Sequence, residues 1–393
     1  MTFYILDEIS NEQMNKKFTI YIFSKHMGGE YIWFARIAPI IKAEIKFIWK
    51  EDGSGPNLPP SGICNFFIYY LTKILAKYSP ELAKSLYSLI GTYTYKIKKM
   101  NDEVILVSST YVPIPRGAAI VAYIHTPSRL LTIGLKEEKE RRAIKFSSRI
   151  YFLIWKNIYY LLYKRSLNRV KLVLTNSENT KKRLREFMKI DSSVVYPSVD
   201  TANFYTEESD SFFFYPSRIS PQKRQFIALR AFEEFNKQIK GFKLIFATTT
   251  LKSKENIAYM NSIKKYAIEK QIPIEIKEGL ERGDLIRIYA KAFACIFTGI
   301  NEDFGQIPIE SQAASKPILA INEGGMKETI KDGLTGFLVK DERELTEKMM
   351  LLAKSPELAK EMGKEGRLNV VNNYDDATFV KNLSIILKSE NCI

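Results

Sequence analysis

Short runs of consecutive apolar residues recur along the chain, separated by longer stretches with helical spacing. In the first half the runs are FTIYIFS (18–24), AEIKFIW (43–49), EVILVS (103–108), AIVAYIH (119–125) and VKLVLTN (170–176). In the second half they are SFFFYPS (211–217), FKLIFAT (242–248), IPIEIKE (272–278), AFACIFT (292–298), KPILAI (316–321) and TGFLVK (335–340). Most are continuous rather than alternating, the pattern of strands buried on both faces of a parallel sheet. Helical spacing fills 136–168, 178–189, 222–239, 254–270, 282–291, 307–315 and 343–366, with a short helix at 376–389. Strand–helix alternation in both halves predicts an α/β chain of two doubly wound domains. TANFYTEESD (201–210) lacks either periodicity and reads as the linker. The expected domains are therefore 1–205 and 206–375. Ligands of doubly wound sheets sit at the carboxyl ends of the strands, so polar groups just after strands are the ones to weigh.

Composition narrows the classes. The chain has 393 residues, 46% hydrophobic and 26% charged, which is ordinary globular usage. No apolar run reaches the length of a membrane span, and MTFYILDEISNEQMNKKF is acidic and polar, unlike a secretory leader. The cysteines (Cys64, Cys295, Cys392) form no CxxC, and with only His26 and His125 a His-rich metal site is excluded. A reducing interior and a cytoplasmic location are expected. Charge is uneven: residues 1–200 hold 31 Lys+Arg against 17 Asp+Glu, whereas 201–393 hold 28 against 27. The first half should meet something anionic, unless it is merely a basic, soluble surface.

Four segments carry chemistry. In NEDFGQIPIESQA, Gly305 allows a sharp turn and close approach of a ligand, and Pro308 fits the first helical position. The amides around Gly305, Gln306 and Ile307 then form a helix N-terminus, ready for an anion. Glu310 in the first turn can accept bonds from vicinal hydroxyls, and Glu302 faces the same mouth. A bland reading, in which both glutamates only complement a helix dipole, suits either alone better than the whole string. In YPSRISPQKRQF, Ser220 reads as N-cap and Pro221 as first helical residue, leaving Arg218 and Lys223 to face a diphosphate. A solvated basic turn is the competing reading. In AYIHTPSRL, His125 ends a buried strand on a basic loop. In SKHMGGEY, Gly28-Gly29 permits backbone approach to an anion, and His26 is read as incidental.

Together, EDFGQIPIESQA, SRISPQK, GGMKETIKDGLTGFLV and TNSENTKKRLREF…VVYPSVD resemble family 4 glycosyltransferases over roughly residues 18–372. AYIHTPSR is similar to a subset containing many mannosyltransferases that use a GDP-sugar. The resemblance implies the GT-B fold: two Rossmann-like domains facing a central cleft, with the C-terminal helix (376–393) docking back onto the first. It implies a retaining hexosyltransferase needing no metal or other cofactor, with a nucleotide-diphosphate sugar as donor. Glu310 would bind the ribose, Glu302 the transferred sugar, and Arg218 and Lys223 the diphosphate, with His125 near sugar and acceptor. The chain contains no DxD, the motif that holds the metal in GT-A enzymes. FTGINEDFG departs from the common pattern at Thr298-Gly299, and HMGGEY is tighter than the usual glycine loop.

The expected acceptor is a glycan or a lipid-linked sugar, on the basic first domain. Two aromatic, basic stretches, 148–165 and 66–99, either pack as core helices or lie on an anionic membrane surface, the latter through Lys96, Lys98 and Lys99. That surface would be the cytoplasmic face of a membrane. Donors based on UDP and a non-catalytic sugar-binding module are the alternatives. Nucleic acid is not an expected partner, because no helix-turn-helix, zinc or RNP pattern is present.

Overall fold

The computed structural model describes residues 17–23, 29–50, 56–57, 63–78, 83, 86–97, 103–108, 113–117, 120–126, 146–251 and 253–393. The chain folds as two compact units, Met1–Tyr196 with Phe379–Ile393, and Pro197–Thr378.

The first unit is built on a six-stranded sheet of β1 (Lys17–Ile22), β2 (Ala43–Phe47), β3 (Glu103–Ser108), β4 (Ile120–Ile124), β5 (Leu172–Thr175) and β6 (Ser193–Val194). Its order is β2-β1-β3-β4-β5-β6, and every pairing is parallel. The first five strands match the apolar runs, and β3 and β4 are buried along their whole length. The two-residue β6 carries no such run and has no counterpart in the sequence pattern. The helices are α1 (Gly29–Ile40), α2 (Ile63–Leu75), a π-helical turn (Tyr87–Gly91) continued by Thr92–Thr94, α3 (Phe146–Leu167) and α4 (Glu178–Met188). Of the stretch 136–168, residues 136–145 lie outside the described residues.

In the second unit β7 (Phe212–Pro216), β8 (Lys243–Thr248), β9 (Ile274–Glu278), β10 (Ala294–Phe297), β11 (Ile318–Ile321) and β12 (Gly336–Val339) lie in the order β12-β11-β10-β7-β8-β9. All are parallel. The order reverses between β7 and β10, the point where doubly wound sheets open a crevice at their carboxyl edge. Its helices are α5 (Gln225–Gln238), α6 (Lys254–Glu269), α7 (Arg282–Lys291), α8 (Gln306–Ala313), the single turn α9 (Met326–Thr329), α10 (Glu342–Lys354) and α11 (Pro356–Asn373). Phe213 anchors the core, 5.2–6.1 Å from the rings of Phe232, Phe235, Phe242 and Phe293.

Three readings need correction. The stretch 343–366 is two helices, because Pro356 has no N–H to continue α10 and starts α11 instead. Segment 201–210 is no free linker. Phe204 is buried against Tyr289 at 5.8 Å, and the Lys316 ammonium donates to the Glu207 carbonyl (3.0 Å) and the Ser209 hydroxyl (2.9 Å). The segment therefore belongs to the second unit, and the boundary falls at 196/197 rather than 205.

The last helix, α12 (Asp376–Ser389), joins the core of the first unit. Phe379, Val380, Leu383 and Leu387 bury their side chains there, and Phe379 meets Trp33 edge-on at 5.0 Å. Burying each such side chain is worth about 1.5–3 kcal/mol. Leu383→Ala should therefore cost the first unit about 2–5 kcal/mol. All three tryptophans (Trp33, Trp49, Trp155) lie in that unit, so tryptophan fluorescence reads its unfolding selectively. The denaturation midpoint followed by fluorescence should fall; an unchanged midpoint would show that α12 contributes nothing to this core.

Candidate functional site

In the second unit the loops after β7, β10 and β11 emerge side by side at the carboxyl edge, flanking the reversal of strand order. A buried hydrogen-bond knot joins the first two. The Thr298 amide donates to the Tyr215 oxygen (3.0 Å), and the Tyr215 hydroxyl donates to the Lys223 carbonyl. The Thr298 hydroxyl lies 2.9 Å from the Arg224 carbonyl and donates to it. Burial holds the Tyr215 phenol well above its usual pKa, so it stays a neutral donor. Thr298, a departure from the common pattern, is thus a structural tie. Its neighbour Gly299 is small for a reason: a Cβ there would meet the Phe297 ring at 2.5 Å.

The chain after β7 differs from the helix start read from the sequence. Pro221 opens a single 3-10 turn, Pro221–Lys223, and α5 begins only at Gln225, after Arg224 in left-handed backbone (φ 54°). Ser220 makes no capping bond, and its hydroxyl is buried without a partner, as is Oε1 of Gln225. An unpaired buried polar group costs about 1–3 kcal/mol, so two within five residues are a debt that a bound ligand can relieve. The break turns Lys223 across the knot to form an ion pair with Glu302. The same ammonium lies 5.2 Å from the centre of the Phe297 ring. Arg218, in contrast, projects an exposed side chain.

The loop after β10 is held from β11. The Gly325 amide donates to the Glu302 carbonyl (3.0 Å). Gly324 (φ 56°) passes so close that a Cβ would meet that carbonyl at 2.4 Å. Gly305 caps α8 in a conformation only glycine takes readily (φ 103°, ψ 61°), with no side-chain cap. The Gln306 and Ile307 amides therefore open the helix, and Pro308 is its third residue, not its first. Its missing N–H is harmless there too, since the first turn's amides have no helical partner.

Glu310 sits in the second turn of α8 and is buried. The Arg282 guanidinium donates to Oε1 at 2.8 Å and the Tyr289 hydroxyl to Oε2 at 2.9 Å. Burial and the adjacent carboxylate push the Tyr289 phenol well above its usual pKa. Burial pulls Arg282 down, but Glu310 outweighs it and the net shift is upward. Neither partner was legible in the sequence, because the contacts span 28 and 21 positions and ERGDLIRIYA matches no motif. Gln312 locks α8 in place: its amide donates to the Thr329 carbonyl (2.7 Å) and its oxygen accepts from Asn369 (2.9 Å).

Among the first-unit residues, Gly29 opens α1 after β1, whereas Gly28 and His26 lie outside the described residues. His125 follows β4. Its ring is caged by Tyr123 (4.7 Å), Trp33 (5.4 Å) and Phe34 (5.4 Å), and its buried Nε2 has no partner. Burial lowers its pKa to about 3, so it is neutral at physiological pH.

Comparison with known proteins places a family match on the unit that holds these loops. Residues 200–369 match the family model described as glycosyl transferases group 1. Alpha-1,3/1,6-mannosyltransferase ALG2 of Dictyostelium discoideum is 29% identical over 260 residues, 55% of this chain and 60% of that protein. The chain spans about half the length of the curated relatives it matches. Two solved structures share the fold over 95% of this chain at 15% identity. Anabaena HepE, in complex with UDP and glucose, has a TM-score of 0.68 with all of that chain covered. Sucrose-phosphate synthase from Thermosynechococcus elongatus has a TM-score of 0.67 with 99% covered. The fold is GT-B, and the match to the group 1 model falls within the second unit.

The His125 environment can be checked directly. In a His26→Asn variant only one imidazole remains, and its NMR signals should not titrate between pH 8 and pH 5. A midpoint near 6.5 would refute the aromatic cage. The stability that neutral His125 contributes is full above the unfolded value of 6.5 and is lost as pH falls toward about 3, by up to about 1.4 kcal/mol per unit.

Proposed function

We propose that the chain is a retaining glycosyltransferase that moves a hexose, mannose from GDP-mannose first among them, to a glycan or lipid-linked acceptor without a metal. The observation that carries this is the Lys223–Glu302 pair beside the Gly305-capped start of α8, at the strand reversal of the second unit. A departing nucleoside diphosphate gains charge as the glycosyl bond breaks and needs fixed positive groups around it. Lys223, Arg218 and the amides of Gln306 and Ile307 supply them, and Gly305 admits the diphosphate to the backbone. Glu302, steadied by Lys223, accepts hydrogen bonds from the sugar hydroxyls. Glu310 takes the ribose hydroxyls. Each of its oxygens accepts one bond from Arg282 or Tyr289, which leaves a lone pair on each and fixes the carboxylate plane. His125 acts as a neutral hydrogen-bonding imidazole, and the leaving phosphate takes the acceptor proton. The mannose reading is supported by AYIHTPSR and by the mannosyltransferase relative. A second reading, glucose or another hexose from UDP, is supported by the structural neighbour HepE, which was solved with UDP and glucose.

A thermal-shift screen in EDTA against GDP, UDP, ADP and their sugars tests this. One nucleotide should stabilise the protein. Lys223→Ala should weaken that ligand by about tenfold to a hundredfold, the worth of one charge-assisted bond. The absence of any shift, or a Lys223→Ala protein that binds as wild type, would sink the reading.

The reading extends to an anionic membrane surface as the place where the acceptor is met. Among the described residues no helix is long and apolar enough to cross a membrane. However, α2 and the turn after it expose Ile63 (80%), Phe67 (66%) and Tyr78 (83%), with Phe66, Tyr70, Leu71 and Ile74 beside them. The cations Lys73 and Lys77 flank this face. Such a helix lies in a bilayer interface with its apolar side inserted and its lysines on the headgroups. Lys96 is exposed, whereas Lys98 and Lys99 lie outside the described residues. Phe67→Ser with Ile74→Ser should abolish co-sedimentation with phosphatidylglycerol vesicles. Undiminished binding would exclude α2 as the contact.

A further inference from the structure

A second basic cluster lies at the opposite edge of the first unit. The chain enters β3 past Lys96, β4 past Arg116-Gly117 and β5 past Asn168-Arg169, so these residues gather at the amino ends of three parallel strands. His125 and Gly29 lie at the carboxyl ends, so the cluster is no part of the edge described above. It lines a recess of about 590 Å³ formed by Tyr93, Arg116, Gly117, Arg165, Asn168 and Arg169.

The Tyr93 ring organises the recess. The Arg169 guanidinium lies 4.3 Å from its centre and that of Arg116 lies 5.6 Å away. Backbone pairing fixes where Arg116 starts: its amide donates to the Tyr95 carbonyl (2.6 Å), and its carbonyl accepts from Ile97 (2.7 Å). Arg169 makes one long bond, to the Ile114 carbonyl at 3.4 Å. Among the described residues no carboxylate pairs with any of the three arginines. Burial lowers the Arg169 pKa, and the nearby Arg116 charge adds to that shift while Tyr93 opposes it.

Three exposed guanidiniums gathered in one recess without a carboxylate make a positive potential that attracts an anion. Each has five N–H donors in a planar fork, and among the described residues only one donor of the three forks, on Arg169, has a partner. A single carboxylate would satisfy one fork. A phosphate or diphosphate offers enough oxygens to engage all three, with the Asn168 amide as a further donor. We propose that Arg116, Arg165 and Arg169, set around Tyr93, form a binding site for a phosphate-bearing anion, separate from the donor site of the second unit.

Inorganic pyrophosphate is the probe, titrated by calorimetry into the full chain. The second unit has anion-binding groups of its own, so only binding lost with these arginines counts. Arg116→Gln/Arg169→Gln should weaken one class of pyrophosphate sites at least tenfold. Arg165→Gln, an exposed change, should do so without moving the tryptophan-fluorescence unfolding midpoint. Arg169→Lys keeps the charge but loses the fork, and should fall between. Co-sedimentation with phosphatidylcholine vesicles, with and without phosphatidic acid, identifies the source. Arginine-dependent binding to the phosphatidic acid vesicles supports the site with a lipid headgroup as ligand. Arginine-dependent pyrophosphate binding without vesicle binding supports it with a soluble phosphate ester. Pyrophosphate and vesicle binding that are equal in wild type and in both glutamine variants would overturn the proposal.

Discussion

The candidate site depends on one small polar knot. Tyr215 stands one residue before the end of β7 and Thr298 follows β10, and their hydroxyls close the gap at which the strand order reverses. Both side chains are buried, so their bonds are shielded from water, and leaving any of these groups unpaired would be expensive. The acceptors they hold are the carbonyls of Lys223 and Arg224, in the turn that breaks the helix start. A longer 3-10 or α-helical continuation from Pro221 would satisfy those carbonyls internally and leave Lys223 on an outer face. By capturing them, the knot selects the left-handed Arg224 and aims the Lys223 ammonium at Glu302. The charge pair follows from neutral hydrogen bonds placed behind it.

That order of causes explains which parts of the fold and site the sequence disclosed. The sheets are legible because burial on both faces leaves a dense apolar signature: eleven of the twelve strands fall on such runs, uninterrupted in most and alternating in the edge strands β2 and β9. The two-residue β6 lies at a sheet edge and buries too little to leave one. Glu302, Gly305 and Glu310 were legible because they share one short stretch. Glycine conformation and helix start there are local matters, set by neighbours a few residues away.

What the sequence hid is non-local. Arg282 and Tyr289 reach Glu310 from a different helix, and nothing in their surroundings marks them. The Thr298-Gly299 departure from the common pattern gave no hint of its structural role: Thr298 is turned inward on the Arg224 carbonyl and Gly299 yields room to Phe297. The linker reading of 201–210 failed for a related reason. A polar segment with one buried aromatic, Phe204, has no period to detect, and its carbonyls are held by Lys316 and by Arg367, which donates to Thr201 and to Phe204 (3.2 Å).

The uneven charge of the chain now divides into two kinds of positive group. In the second unit, where Lys+Arg and Asp+Glu nearly balance, Lys223 and Arg282 each face a glutamate. A cation so paired is oriented by its partner, and its field at a distance is small, which suits a site that must grip a ligand in one pose. In the first unit Arg116 and Arg169 share the Tyr93 ring, with Arg165 lining the same recess, and no carboxylate among the described residues pairs with them; Lys73 and Lys77 border an exposed apolar face. Unpaired cations act at longer range and weaken as salt rises, which suits capture and retention of an anion more than its precise placement. On the functions proposed, the two units divide positive charge by task, the balanced one positioning and the basic one gathering.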